Sequence, residues 1–403
     1  METHYDTYSN NVWDVTVARS AEDIETLRPI WEQMQKKEPC PNINADIDRF
    51  LSILKSSGGD IQPYIILIKK NSLPVAMVLA QTGRVSVELR IGYKTLLRPK
   101  LRLLSVIHGG IIGQADDDLC RLIVHELMRE LNRVGLDAVY FDRLKMNSLL
   151  YLIARKMPGV LSRGYFPRID AHWAISIPEN TSLFYKRFSA LRRNEYKRYI
   201  RKLDHSHSVR VVCYHREEDV DEAVRRIQEI SVKTYQHAMG VGFDNDFACQ
   251  VLLNTAARRG WLRAHVLFVD DKPAAFQIGL RYGKVYFAQH IGFDPYWKKE
   301  HVGTVLLLKV IEELCEDPSV SEFDFGFGDA DYKQRYSDKS SPDASFYIFA
   351  RRFYPVSVNM LQSVVLAVSS SMTHCLRQLG LVNWVKRKWR DLLASKSMQK
   401  NTS

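Results

Sequence analysis

Asp329 and Lys333 stand four residues apart, directly after a short predicted strand at Phe323–Phe325. A carboxylate there could accept a proton from an attacking amine or hydroxyl, and a lysine ammonium could stabilise an oxyanion or hold a phosphate. His290 ends an earlier predicted strand, and the pKa of an imidazole lies close to neutral pH. We therefore treat Asp329, Lys333 and His290 as candidate catalytic residues. A surface ion pair and a structural histidine are the alternatives.

The start of a predicted helix at about Val302 offers a candidate anion site. The first amides of a helix lack intrahelical acceptors, and the helix dipole favours a negative charge beside them. A lysine pair comes shortly before these amides. The residues of this site are Lys298, Lys299, His301, Val302, Gly303 and Thr304. An ordinary helix start with a solvated lysine pair is the alternative.

A dense basic run lies on a helix predicted from about Leu183 to Leu203. It begins with Arg192, Arg193 and Lys197. Guanidinium and ammonium groups could hold the phosphates of a nucleotide-sugar, a lipid-linked glycan or CoA. Part of the run must be solvated surface, because not all of these side chains can share one helix face. The sequence contains no nucleic-acid-binding motif and few interleaved aromatics, so we expect no nucleic-acid partner.

Two stretches of the chain share one order of elements. In the first, a predicted strand at Tyr64–Ile68 is followed by a polar turn and a strand opened by Pro74. In the second, a strand at His265–Val269 is followed by a polar turn and a strand opened by Pro273. Proline is tolerated at the entry of a strand, where its missing amide need not join the ladder. Two β-hairpins are therefore predicted at matching places.

Each hairpin is followed by further strand, a helix and another strand. The first half continues with a helix at Asp117–Val134 and a strand at Ala138–Phe141, and the second with a helix at Thr304–Leu314 and a strand at Phe323–Phe325. A unit of this size that occurs twice indicates duplicated domains rather than a solenoid. The predicted fold class is α+β, with two mixed sheets flanked by helices. Chance similarity of two common hairpins is the alternative.

These patterns divide the chain into three segments. We predict domains at residues 13–168 and 169–355 and a basic helical tail at residues 356–403. The length of 403 residues is sufficient for two domains, each with its own core.

The composition is that of an ordinary globular protein, with 46% hydrophobic and 26% charged residues. A formal net charge of +11 leaves room for an anionic substrate or an acidic membrane. The six cysteines lie far apart without CxxC spacing, so neither a metal site nor a disulfide framework is predicted. Met1–Asn11 is polar and does not resemble a signal peptide, which favours a cytoplasmic protein.

The C-terminal tail combines apolar and basic residues. Its apolar stretch at Val356–Val368 is interrupted by polar residues and is predicted to be too short to span a bilayer. Further on, one helical face holds Val382, Val385, Trp389, Leu392 and Leu393, beside Lys386, Arg387, Lys388 and Arg390. A basic amphipathic helix of this kind could lie peripherally on the inner membrane face, or pack on its own protein.

Several motifs together resemble the GNAT superfamily, and most closely the CelD-type acetyltransferases of bacterial exopolysaccharide and cellulose gene sets. They are Phe293-Asp294-Pro295, Gly303, Phe323-Asp324-Phe325, the ending Gly328-Asp329-Ala330-Asp331-Tyr332-Lys333-Gln334-Arg335-Tyr336, and the basic helix Leu191–Arg198. The FemABX aminoacyltransferases, which have tandem GNAT-like halves and a similar ending, are a second related group. The resemblance covers roughly Trp13 to Pro355.

The resemblance implies a fold of tandem GNAT-like domains and an acyl transfer without a metal. The donor would be acetyl-CoA or another acyl-CoA, with its pyrophosphate at the candidate anion site, and the acceptor an amine or hydroxyl of a sugar or cell-envelope precursor. Lys333 matches a lysine implicated in the FemABX reaction, and Tyr332 is expected to contact substrate beside it. Of the family's usual loop, R/Q-x-x-G-x-G/A, only Gly303 is present, which leaves another activated acyl donor open.

Two other functions fit the same resemblance. One is aminoacyl transfer from a charged tRNA, as in the FemABX group. The other is a non-catalytic GNAT-fold scaffold in polysaccharide assembly, which the reduced glycine loop would explain. For acyl transfer from a thioester, the first half, which lacks the YK ending after Phe141-Asp142, is expected to form one wall of the acceptor groove.

Overall fold

Thirteen strands of the described part of the chain form one long β-sheet in this computed structural model. The structure describes residues 1–8, 11–39, 41–91, 94–113, 116–234 and 243–378. The strands are β1 Glu2–Tyr8, β2 Asn11–Ala18, β3 Ile61–Lys70, β4 Leu73–Ser86, β5 Leu89–Ile91, β6 Lys94–Leu97, β7 Lys100–Ile112, β8 Ala138–Lys145, β9 Arg168–Ser176, β10 Val209–Tyr214, β11 Leu262–Val269, β12 Lys272–Tyr282, β13 Val285–Phe293, β14 Glu322–Phe327 and β15 Lys339–Phe349.

Helices cover both faces of the sheet. They are α1 Ala21–Lys36, α2 Ile47–Ser56, α3 Asp117–Arg133, α4 Leu149–Lys156, α5 Thr181–Lys186, α6 Ala190–Ser206, α7 Val220–Ser231, α8 Phe247–Arg258, α9 Val302–Glu316, α10 Asp331–Tyr336 and α11 Phe353–Gln378. Short 3-10 helices lie at Ile43–Ala45, Glu217–Asp219 and Pro295–Glu300.

The strand order is β1-β2-β3-β4-β7-β8-β15-β9-β14-β13-β12-β11-β10, while β5 and β6 form a separate hairpin. Each half of this order contains one parallel pair, β7 with β8 and β13 with β14, and the other pairs within each half are antiparallel. The crossover helix is α3 in the first half and α9 in the second. The predicted duplication of an α+β unit is confirmed.

The two predicted hairpins share even their turn geometry. Asn71 and Ser72 join β3 to β4 with φ of 51° and 63°, and Asp270 and Asp271 join β11 to β12 with φ of 48° and 62°. Two consecutive residues with positive φ give a turn whose twist matches that of the flanking strands. Asparagine, aspartate and serine supply this conformation without glycine at both places.

Strand β15 connects the two halves. It pairs with β8 of the first half through Ala138–Lys145 and with β9 of the second through Arg168–Ala174. The strand belongs by sequence to the predicted second domain, and yet it completes the sheet of both. The halves therefore share one continuous ladder of backbone hydrogen bonds.

The two sheet faces carry different helices. On one face α3 and α9 pack against the sheet through apolar clusters around Leu127 and Leu308. On the opposite face lie α1 and α2 in the first half and α7 and α8 in the second. There α2 contacts α8, where Ser52 Oγ donates to Thr255 Oγ1 at 2.8 Å and Arg259 pairs with Asp48. We call this second face the groove face.

The apolar stretch near the C-terminus is longer than the sequence analysis predicted. The segment Phe353–Met372 of α11 has a mean hydropathy of 1.2 and, by length and composition alone, is long and apolar enough to cross a membrane. The prediction was wrong because the helix continues beyond Val356–Val368 at both ends. The basic tail at residues 379–403 lies outside the described residues.

Candidate active site

The parallel pair of the second half opens into a wedge. β13 and β14 pair only from Val285 to Phe287 and from Glu322 to Asp324. Beyond these residues β13 stays with β12, and the end of β14 pairs with β9, where Phe327 lies opposite His172. A gap between two strands of one sheet gives a ligand access to backbone groups and to side chains on both faces.

His172 and Asp324 form a buried pair beside the wedge. Nε2 of His172 lies 2.8 Å from Asp324 Oδ1, and the imidazole ring stacks on Phe327 with centroids 4.6 Å apart. Burial alone would lower the pKa of His172, but the hydrogen bond and the charge of Asp324 outweigh it and raise this pKa. If Nε2 donates to the carboxylate, Nδ1 is the nitrogen available to accept a proton.

The first half contributes His108 to the same place. Its ring meets the edge of Phe327 at a centroid distance of 4.9 Å. Nδ1 lies 3.2 Å from the carbonyl oxygen of Arg143, and Nε2 lies 3.2 Å from Asn42 Nδ2. Both contacts suit a neutral ring that donates from Nδ1 and accepts at Nε2, and burial lowers the pKa of His108.

Lys333 faces this cluster from the first turns of α10. Its Nζ donates to the carbonyl oxygen of Phe327 at 2.6 Å. Burial lowers the pKa of Lys333; Asp324 opposes this shift and Arg143 adds to it. The guanidinium of Arg143 lies over the Phe327 ring, 4.5 Å from its centroid. We call His108, Arg143, His172, Asp324, Phe327 and Lys333 the groove cluster.

Asp329 lies beside the cluster without joining it. Its side chain is exposed, and it forms no ion pair with Lys333. Gly326 and Gly328, with φ of 70° and 96°, turn the backbone between β14 and α10, so that Lys333 points back toward the strand end. The structure therefore separates the two residues that the sequence paired.

A buried carboxylate lies behind the cluster. Asp343 of β15 is fully buried, and its Oδ1 accepts a hydrogen bond from Ser341 Oγ at 3.0 Å. Among the described residues its Oδ2 has no hydrogen-bond partner. The charge of Asp343 acts on both His108 and His172 and favours their protonated forms.

The candidate anion site lies at the start of α9, on the other side of the wedge. His301 enters the helix with a positive φ of 55°, and Tyr199 of α6 stacks on its ring at a centroid distance of 3.8 Å. A Cβ on Gly303 would lie 3.2 Å from the Phe293 ring, so glycine permits close packing here. The amides of Val302, Gly303 and Thr304 precede the first intrahelical bond, and Lys298 and Lys299 are exposed beside them.

The basic run lies on α6, which packs beside the start of α9. The single helix predicted over Leu183–Leu203 is two helices, because Ser189 caps a new helix by accepting from the Arg192 amide. Arg193 donates to the carbonyl oxygen of Phe188 at 2.9 Å, and Arg192 pairs with Glu195. The solvent face bears a shallow depression of about 440 Å³ lined by Asn194, Lys197, Arg198, Arg201, Lys202 and His205.

His290 and Tyr332 lie apart from the groove cluster. His290 lines a cavity of about 330 Å³ together with Phe243, Arg49 and Asp244. The cavity is open to solvent, but the surrounding protein still lowers the pKa of His290. The ring of Tyr332 meets Phe325 edge-on at 6.2 Å, on the side of the sheet that carries α9.

His108, Arg143 and His172 were not predicted from the sequence. Asp324 belongs to the motif Phe323-Asp324-Phe325, but no role was predicted for it. The repeated strand endings Phe141-Asp142 and Phe323-Asp324 were the available signal, since both precede residues that reach the cluster. Nothing in the local sequence around His108 or His172 distinguishes them from structural histidines.

These features define the class of the protein. Each half has a hairpin followed by a parallel pair of strands that a crossover helix connects. Two such halves form the tandem GNAT fold. Residues 190–334 match the family model described as the acetyltransferase (GNAT) domain. Residues 190–334 of the second half are therefore similar to a GNAT acetyltransferase domain.

Solved structures show the same fold at low sequence identity. FemX superposes with a TM-score of 0.57 at 8% identity, over 80% of this chain and 95% of its own. A conserved protein of unknown function from Bacteroides thetaiotaomicron gives 0.52 at 10% identity, over 80% and 97%. The C-terminal domain of a putative lysylphosphatidylglycerol synthetase from Agrobacterium fabrum gives 0.50 at 12% identity, over 86% and 97%. No curated protein matches the sequence.

Proposed function

We propose that the protein transfers an acyl group from a thioester, with acetyl-CoA as the donor, to an amine or hydroxyl of a sugar or cell-envelope precursor. The observation that carries this proposal is the wedge between β13 and β14, which opens beside Lys333 and the His172–Asp324 pair. The reaction would take place in the cytoplasm or at the inner face of the membrane, where CoA esters are available.

The donor would be held through its phosphates. The unpaired amides at the start of α9, together with Lys298 and Lys299, provide a positive site for the pyrophosphate. The basic face of α6 extends this site, since Tyr199 on α6 stacks directly on His301. Three residues were predicted to bind substrate, and the structure gives them different places: Arg192, Arg193 and Lys197. Lys197 lies on this face, and Arg193 holds the α5–α6 junction.

Two groups in the groove cluster would perform the transfer. His172 would accept the proton of the attacking amine or hydroxyl, since Asp324 orients its ring and raises its pKa, which makes the imidazole a stronger base. The Lys333 ammonium would stabilise the negative charge on the thioester oxygen as the new bond forms. The acceptor would attack the thioester carbon directly, so no covalent enzyme intermediate is needed. As the new C–N or C–O bond forms, the C–S bond breaks, and the sulfur leaves with its electron pair and takes the proton from the His172 imidazolium.

The acceptor would bind between the halves. His108 and Arg143 of the first half line the same cluster as Lys333 of the second, so an acceptor there contacts both domains. Phosphates of a nucleotide-sugar or a lipid-linked glycan are suitable partners for Arg143. The first half would thus supply one wall of the acceptor site.

Donor binding is tested by calorimetric titration of the full chain with acetyl-CoA. We expect saturable binding that weakens by about tenfold in a Lys298→Gln/Lys299→Gln variant, since two charge contacts are lost. Lys272→Gln, at the exposed first residue of β12, is the matched control and should leave the affinity unchanged. Absence of binding to the unmodified chain would favour a scaffold or a different donor.

Transfer is tested by following release of the CoA thiol in the presence of amino-sugars and their nucleotide-linked forms. Turnover that requires both acetyl-CoA and the acceptor would support the proposal. Mass spectrometry of small molecules that co-purify with the protein would identify the acceptor directly. Hydrolysis of acetyl-CoA at the same rate with and without acceptor would contradict it.

Aminoacyl transfer from charged tRNA is the second candidate. The solvent face of α6 favours it, because a flat surface with four Lys and Arg side chains fits an RNA backbone as well as it fits CoA. A gel-shift titration with charged tRNA distinguishes the two. Salt-dependent binding that is lost in Lys197→Gln/Arg201→Gln, without measurable acetyl-CoA binding, would favour this candidate over the first.

A further inference from the structure

Helix α11 buries one face and leaves an apolar stripe on the other. Val358 and Val365 pack into a cluster with Leu89 and Phe349. The outward residues follow one another mostly at steps of three, four or seven, which places them on one side of the helix. They are Phe353, Met360, Leu361, Val364, Val368 and Met372, with exposed fractions from 38% to 90%. No partner within the described residues covers this stripe.

The stripe is long and carries no charge. No Asp, Glu, Lys or Arg occurs from Phe353 to Leu376. A helix of 26 residues extends for about 39 Å. The exposed apolar side chains from Phe353 to Met372 span about 29 Å of this helix, and an exposed apolar surface of this length marks an interaction site.

A neighbouring segment adds apolar surface beside α11. Asn359 Nδ2 donates to the carbonyl oxygens of Leu161 and Arg163 at 3.1 and 3.0 Å, which holds the segment 160–166 against α11. This segment exposes four further apolar side chains, Val160, Leu161, Tyr165 and Phe166. We call this segment and the outward stripe of α11 the apolar platform.

The surroundings of the apolar platform are basic. Arg351 comes shortly before α11 and Lys156 is exposed near the segment 160–166, while Arg352 and Arg168 pair with Asp137 and Asp170. The chain from residue 379 to residue 403 contains six Lys or Arg and one Asp. An apolar surface with a positive rim and a positive continuation is complementary to an anionic lipid headgroup layer.

We propose that the apolar platform docks on an anionic phospholipid bilayer, with α11 lying in the plane of the interface. The helix would not cross the bilayer, because its inner face is fixed to the Phe349 cluster and to the segment 160–166. Docking does not depend on the transfer reaction proposed above. It would, however, bring the groove cluster near the membrane. In β15, Ser345 lies beside Asp142 and Phe349 lies under α11, and the strand between these two residues is about 13 Å long.

The test is vesicle co-sedimentation of the full chain. The probes are vesicles of phosphatidylcholine alone and of phosphatidylcholine with 30% phosphatidylglycerol, a roughly physiological anionic fraction. We expect binding to the anionic vesicles and about tenfold weaker binding of a Val364→Asp/Val368→Asp variant, because two carboxylates would enter the interface. Leu73→Asp, at the equally exposed β3–β4 turn, is the matched control and should bind like the unmodified chain.

Circular dichroism and thermal melting confirm that the variants fold, and CoA-thiol release with a soluble acceptor should be unchanged in Val364→Asp/Val368→Asp. A second full-length variant, Lys386→Gln/Arg387→Gln/Lys388→Gln, separates the platform from the tail. Loss of binding in this variant with full binding in Val364→Asp/Val368→Asp would overturn the proposal in favour of the tail.

Two other occupants of the platform would also overturn the proposal. Sedimentation equilibrium would reveal a second copy of the chain as a dimer that Val364→Asp/Val368→Asp dissociates, without vesicle binding by either form. Resistance of the expressed protein to alkaline carbonate extraction would show that α11 spans the bilayer instead of lying on it.

Discussion

His172 Nε2 and Asp324 Oδ1 meet at 2.8 Å where β9 pairs with β14, although the two residues are 152 positions apart in the sequence. The pair lies against Phe327, which Arg143 of the first half covers from another side. A titratable dyad is thus held where the two GNAT halves and the wedge of the second half come together. Its protonation can be tested directly.

Replacing Asp324 by Asn should lower the pKa of His172, because the carboxylate charge that outweighs burial is lost. A base with a lower pKa is active at lower pH but weaker. We therefore expect the rising limb of the pH–rate profile to move toward acid and the maximal rate to fall by about 10²-fold or more. Asp331→Asn, on the exposed first turn of α10, is the matched control. An unshifted profile in Asp324→Asn would assign the proton to another group.

Lys333→Ala should reduce acyl transfer by about 10²- to 10³-fold, since a cation aimed at a developing oxyanion contributes this much. Acetyl-CoA affinity, measured by calorimetry, should change little, because Lys333 is assigned to the reaction and not to the phosphates. Asp329→Asn is the internal comparison and should lose less than threefold, as Asp329 is exposed and unpaired with Lys333. Full activity in Lys333→Ala would remove this residue from the mechanism.

The buried His265 predicts a pH dependence of stability. Burial alone would lower its pKa, but Cys213 and Glu313 raise it to about 9, and Glu313 lies 3.1 Å away. A raised folded-state pKa stabilises the protein fully below about pH 6.5, and this contribution is lost as the pH rises through 9. Urea unfolding should therefore show a loss of up to roughly 3 kcal/mol between pH 7 and pH 10. Glu313→Gln should flatten this dependence, and an equal slope in both proteins would contradict the assignment.

Gly279→Ala should destabilise the second half. A Cβ at this position would clash with the side chain of Tyr286, whose ring is fully buried. Overpacking of this kind costs about 1–3 kcal/mol, measured by chemical denaturation. A double variant, Gly279→Ala/Tyr286→Leu, should be less destabilised than the sum of its single changes, since the smaller side chain makes room. Simple additivity would show that the backbone, and not Tyr286, resists the methyl group.

Local signals made much of the architecture readable from the sequence. Alternating and continuous apolar runs gave the strands β3, β4, β11 and β12, because these patterns depend on neighbours along the chain. The polar turns at Asn71-Ser72 and Asp270-Asp271 tolerate positive φ, so two hairpins at matching places followed from residue type. The motif after Phe325 led to Lys333, which the structure places in the groove cluster.

Tertiary structure alone decided the rest. His108, Arg143, His172 and Asp324 come from four strands, and only strand order and register bring their side chains together. The same holds for β15, which lies in the predicted second domain and yet pairs with strands of both halves. The spacing of residues along a chain determines which near neighbours in the sequence they can contact. It does not report which distant strand will pair with its own, since that choice minimises the free energy of the whole sheet and its packed helices.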